Sequence, residues 1–95
     1  MRHRSDDNQA YIIDQLRQRG ISVAVLSHVG NGVPDVLAGW KGVNYLLEIK
    51  DGNKVPSKRK LTPAQKKFHA SWKGQKAVVE NIEQALEVIT KNKLT

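Results

Sequence analysis

Two apolar runs, Pro34–Gly39 and Val43–Lys50, stand on either side of Lys41-Gly42, and no other feature constrains the fold as tightly. Lys41-Gly42 between such runs marks a hairpin turn, which makes the runs antiparallel neighbours. Side chains alternate across a strand, so Glu48 and Lys50 share one face of the second run while Ile49 points to the other. Asp35 follows Pro34 at the start of the first run and can join that face once the strands pair. The hairpin therefore gathers two carboxylates and one ammonium at the end of adjacent strands.

The remaining elements follow from periodicity and turn chemistry. Asp7 to Arg19 carries Ala10, Ile12, Ile13 and Leu16 near helical spacing, and Gly20 is placed to stop that helix. Ile21–Leu26 is rich in β-branched residues and reads as a strand, and Ser27–Val33, with Gly30-Asn31-Gly32 inside it, reads as a flexible turn. Asp51–Lys60 has no apolar period and is expected to be a mobile loop. Thr62-Pro63-Ala64-Gln65 opens a helix that should end near Gly74, with Thr62 as N-cap, Pro63 in the first turn and Gln65 at the reciprocal place of a capping box. Lys76–Glu80 reads as a short strand. Asn81 then caps a last helix to about Lys91, burying Ile82, Ala85, Leu86 and Ile89. The order α-β-β-β-α-β-α gives an α/β fold, a mixed sheet flanked by helices.

The 95 residues suffice for one domain, 1–95, with a modest core, and a chain this short often gains stability by dimerising. Without Cys there are no disulfides and no thiolate metal sites. No apolar stretch approaches the roughly 20 residues that span a bilayer, and the basic start Met1–Asp7 lacks the apolar run of a signal peptide, so a soluble intracellular protein is expected. Sixteen Lys and Arg against nine Asp and Glu leave a net charge of +7. The excess gathers between Asp51 and Lys76, where Asp51 is the only acid among Lys54, Lys58, Arg59, Lys60, Lys66, Lys67, Lys73 and Lys76. Such a concentration suits a polyanion, or else it is a solvated surface that aids solubility.

A phosphodiester repels nucleophiles through its anionic oxygens. Mg²⁺ offsets this by acidifying a bound water and neutralising charge on the phosphate, and it accepts two carboxylates plus water and substrate oxygens. Asp35 and Glu48 are the candidate ligands, with the carbonyl of Ile49 a possible third oxygen, and Lys50 can orient the water or stabilise the transition state. Alone, Pro-Asp followed by Glu-x-Lys is a short pattern that chance also produces; its order relative to the strands and the Thr62-Pro63-Ala64-Gln65 helix gives it weight.

Through Gly32-Val33-Pro34-Asp35, Leu47-Glu48-Ile49-Lys50, Leu61-Thr62-Pro63-Ala64-Gln65 and the stretch Gly74–Val79, the chain resembles the VRR-NUC domains of the PD-(D/E)xK nuclease superfamily, from Asp7 to Ile89. The resemblance implies a restriction-endonuclease-like fold and Mg²⁺- or Mn²⁺-dependent cleavage of DNA. Asp35 and Glu48 match the family's metal-binding acids, Lys50 its catalytic lysine, and Gln65 a glutamine beside the active site. It also implies a homodimer that resolves Holliday-type junctions in DNA repair, in the cytoplasm of a bacterial or phage-infected cell. Family members fused to larger chains cut other branched or flapped DNA. The family's Glu near the start of its first helix is replaced here by Asp7, with Asp6 as the alternative, and either could reach the metal through water or serve the helix N-terminus.

Several residues keep two readings. Gln65 can cap its helix or serve the site. His28 can touch a phosphate or remain a surface residue, and His3 and His69 have weaker claims. Trp40 at the hairpin is expected to be exposed, and Trp72 to be core or dimer contact. Lys54, Lys58, Arg59 and Lys60 form the expected DNA-gripping loop, supported by Lys66 and Lys67. The rival functions are a flap-cutting or nicking nuclease module of a replication-repair complex, and a basic DNA-binding protein without catalysis.

Overall fold

The computed structural model describes residues 4–91, and side chains from residue 8 onward. Helix α1 (Arg4–Gln18) leads into β1 (Ser22–Val25), β2 (Val36–Trp40) and β3 (Val43–Ile49). Helix α2 (Pro63–Ser71), β4 (Lys76–Val79) and α3 (Ile82–Lys91) follow. This is the order expected from the sequence. The sheet runs β1-β2-β3-β4, with the first two pairings antiparallel and β3–β4 parallel through the α2 crossover. Lys41 and Gly42 both take positive φ, 51° and 82°, so the hairpin closes through the two-residue turn that matches strand twist.

Alternation divides the sheet into two unlike faces. Val36, Ala38, Tyr45, Leu47, Ile49 and Val79 pack with Ile12, Ile13 and Leu16 of α1 and with Ile82, Ala85 and Ile89 of α3. This is the core. Burying an aliphatic side chain of this kind contributes about 1.5–3 kcal/mol. The opposite face presents Leu37, Leu46 and Glu48, and α2 crosses it. No residue of α2 is fully buried, so that face is only partly covered.

The structure departs from the sequence reading in four places. The 51–60 segment is not structureless: Pro56–Lys58 form a 3-10 turn, and Arg59 pairs with Glu80 at 3.2 Å. A proline at the first position of the turn pre-sets its backbone, and the ion pair ties the far end to the sheet. Helix α2 stops at Ser71 instead of running towards Gly74, because Trp72 turns extended and stacks on Phe68 at 5.1 Å. Trp72 is therefore 44 % exposed and not part of the core. Trp40 is half-buried against the core, with Lys41 over its ring at 5.5 Å. Among the described residues, no helix is long and apolar enough to cross a membrane.

Candidate active site

The β2–β3 register pairs Val36 with Leu47, so Asp35 and Glu48 are the next residues outward and lie on one face. Two bonds fix Asp35. Its carbonyl accepts from the Leu26 N–H at 2.7 Å, and its Oδ2 accepts from the Ile49 N–H at 2.7 Å. The Lys50 N–H instead donates to the Val79 carbonyl on β4, at 2.9 Å. Ile49 thus addresses the β2 side, and strand geometry sends its carbonyl the same way, past the end of β2.

Gln65 binds the cluster together. Its Oε1 accepts from the Lys50 Nζ at 2.9 Å and from the Thr62 N–H at 2.9 Å, while its Nε2 donates to Glu48 Oε2 at 3.1 Å. The Gln65 N–H donates to Thr62 Oγ1 at 3.2 Å, which completes the capping box. The two sequence readings of Gln65 are therefore compatible: one amide caps α2 and touches both Glu48 and Lys50. Lys50 Nζ also lies 3.8 Å from Glu48 Oε2.

Glu48 is 2 % exposed, and its Oε1 has no hydrogen-bond partner. Burial, then the neighbouring Asp35 carboxylate, push its carboxyl from 4.5 up to about 8, against the opposing pull of Lys50. A buried carboxylate oxygen with no donor, beside a second carboxylate, is a position a cation would satisfy. Among the described residues no group of three or more His, Asp or Glu is arranged to hold a metal, so the acids act as a pair. Two carboxylates and one backbone carbonyl suit a hard divalent ion that keeps most of its waters.

The cluster opens into a cleft of about 440 Å³ lined by Asp35, Glu48, Ile49, Lys50 and Gln65, with Gln9, Ser27, Asp51, Lys54 and Lys58 around them. Of the basic residues expected from sequence to grip DNA, only Lys54 and Lys58 line this cleft. Arg59 is held by Glu80, Lys60 and Lys66 are exposed elsewhere, and Lys67 lines a separate depression with Asn31 and Phe68. His28 is exposed and lines no part of the cleft. His69 has a buried Nε2 without a partner, and burial with Lys76 and Lys50 nearby pulls its pKa down. The side chains of Asp6 and Asp7, and the whole of His3, lie outside the described residues.

Four contributors were missed by sequence reasoning. Gln9 continues the helical face of Ile12, Ile13 and Leu16 into the cleft, a periodicity that could have found it. Ser27 follows the strand beside Asp35, and Asp51 follows Lys50 directly. Asn8 donates to the Lys50 carbonyl at 3.0 Å and anchors α1 to the end of β3, for which the sequence carries no signal.

No family model matches the chain, and a search of curated proteins returns no match. A solved structure described as a VRR_NUC domain matches 90 % of this chain and 92 % of its own, at 27 % identity and a TM-score of 0.65. Over nearly its whole length the chain is similar to a VRR-NUC domain in both fold and sequence. That family is one of nucleases. In this VRR-NUC-like fold the cleft holds two acids and a lysine on the sheet face opposite the core.

Proposed function

We propose that the chain is a metal-dependent endonuclease that hydrolyses phosphodiester bonds in DNA, with branched or junction DNA as its substrate. The observation that carries this reading is the buried, unpartnered Oε1 of Glu48 beside Asp35, with Lys50 held by Gln65 at 2.9 Å. Asp35, Glu48 and the Ile49 carbonyl would hold Mg²⁺, or Mn²⁺ in its place. A bound divalent ion would supply an acidified water and neutralise charge on the phosphate. Gln65 orients Glu48 and Lys50 together, and the Ile49 N–H fixes Asp35. Lys50 carries its ammonium into the cleft, where it can donate to a water or to a phosphate oxygen. Lys54 and Lys58 at the cleft wall suit neighbouring phosphates.

A second copy of the chain is the partner this reading assigns. The face that α2 leaves open is an apolar groove lined by Leu26, Val33, Leu37, Leu46, Phe68 and Trp72. Covering it with the same patch of a second copy would remove the exposed Trp72 from water and give a two-fold pair. Such a pair presents two sites to strands of opposite polarity, as symmetric junction cleavage requires.

Labelled four-way junctions, flaps, nicked duplexes and plain duplexes, each incubated with Mg²⁺, Mn²⁺ or EDTA, test the proposal. Paired symmetric cuts in the junction with either metal, and none in EDTA, are expected. Cleavage confined to flaps or nicks would favour a flap or nicking module. Binding without cleavage under any metal would favour a DNA-binding protein without catalysis.

A further inference from the structure

We propose that Gly32 is a positioning residue of the cleft: it seats the first turn of α2, and through that turn Gln65, against the loop that carries Asp35. The inference rests on the reading of the cleft as a nuclease site. It identifies a residue that touches neither phosphate nor metal and yet sets the geometry of those that do.

Helix α2 is lightly held, since none of its residues is fully buried. Among the described residues, the side-chain bonds from its N-terminal end to the sheet come from Gln65 alone. The neighbouring support is a close backbone approach. A Cβ at Gly32 would stand 2.2 Å from the Ala64 carbonyl oxygen, 2.5 Å from its carbon and 3.0 Å from the Gln65 nitrogen. Ordinary contact begins at 3.4 Å, so loop and helix would have to part by roughly 1 Å. All three atoms belong to the helix backbone, so no rotamer change can relieve the clash.

The loop is the firmer of the two bodies. The Val33 N–H donates to the Gly30 carbonyl at 3.1 Å, Pro34 is fully buried, and the Asp35 carbonyl holds the Leu26 N–H at 2.7 Å. Helix α2 is therefore the part that yields. A shift of about 1 Å lengthens the Gln65 bonds to Lys50 and Glu48, now 2.9 and 3.1 Å, beyond useful hydrogen-bond range. Misplacement of that size costs on the order of 10²-fold in rate.

The chain supplies its own control. Gly30 has φ +83° against +79° for Gly32, but nothing lies within 4 Å of a Cβ placed there. Alanine at either position meets the same left-handed strain, and only at Gly32 does it meet the helix. The experiment compares Gly32→Ala with Gly30→Ala by melting temperature, by single-turnover junction cleavage in Mn²⁺, and by the NMR signals of the Gln65 side-chain amide. Both variants should melt lower. Only Gly32→Ala should move the Gln65 amide signals and lower kcat by about 10²-fold, with KM little changed. In a Gln65→Ala background, Gly32→Ala should lower kcat no further.

Unmoved amide signals with unchanged kcat in Gly32→Ala would overturn the inference, as would equal losses in Gly30→Ala or fully additive losses with Gln65→Ala. If Gly32→Ala does not fold, Pro63→Gly is added to free the first turn of α2, with Pro63→Gly alone as reference. Recovery of the fold with kcat still low supports the inference, and recovery of both contradicts it. The amide signals need neither DNA nor metal, so a wild-type chain without nuclease activity would sink the functional reading while the amide comparison still judges Gly32.

Discussion

Glu48 combines 2 % exposure, a neighbouring carboxylate and an oxygen without a donor. Its proton takes the place a cation would otherwise fill. In the unfolded chain this carboxyl titrates at 4.5, and in the folded, metal-free protein at about 8. Between those values the folded state holds a proton that the unfolded state has lost, so stability falls as pH rises through that window. Melting curves in EDTA should therefore drop from pH 5 to pH 8, and Glu48→Gln should flatten the drop. Mn²⁺ should raise the melting temperature more at pH 8 than at pH 5, because at pH 5 it must displace the proton. An equal slope in wild type and Glu48→Gln would show that some other group carries the dependence.

At the scale of elements, the hairpin and the α2 cap were legible because each rests on local chemistry. Lys41-Gly42 meets the turn's need for positive φ, and Thr62-x-x-Gln65 is a capping pattern that reads the same in sequence and in space. Glu48 and Lys50 were legible as a pair because strand alternation alone puts them on one face. Less local facts were not. The Arg59–Glu80 pair joins residues far apart in sequence, and Asn8 reaches Lys50 only because α1 packs back on the sheet. Trp72 kept two readings, core or dimer contact, because its apolar character says nothing about which face remains uncovered, and its exposure removes the first. The same distinction sorts the basic loop. Lys54 and Lys58 line the cleft, whereas Arg59 is engaged with Glu80. Lys54→Ala with Lys58→Ala should weaken DNA binding and flatten the slope of log K against log salt by about 0.9 per lost contact. Arg59→Ala should act mainly on stability, by about 1 kcal/mol or less for a partly exposed pair. Affinity titrations across salt concentrations check both, and an unchanged slope in the double lysine variant would remove the loop from the interface.

At the scale of the whole molecule, two faces of one sheet divide the work. One carries the core under α1 and α3, and the other carries the cleft at one end of α2 and the apolar groove at the other. In the proposed dimer, a second copy seated on the groove would make Trp72, 44 % exposed in the single chain, a buried contact. Sedimentation should give twice the chain mass for wild type and a single-chain mass for Trp72→Glu, whose added charge would be desolvated in the interface. A single-chain mass for wild type at assay concentrations would leave the groove without a second copy. Whatever the assembly, the proposed chemistry rests on Asp35 and Glu48. The most direct test is single-turnover cleavage of a labelled four-way junction by wild type, Asp35→Asn and Glu48→Gln at saturating Mg²⁺, with DNA binding measured in parallel. Both variants should lose cleavage while binding the junction as tightly as wild type or more so, since each removes a negative charge beside the phosphate. Near-normal turnover in either variant would contradict it.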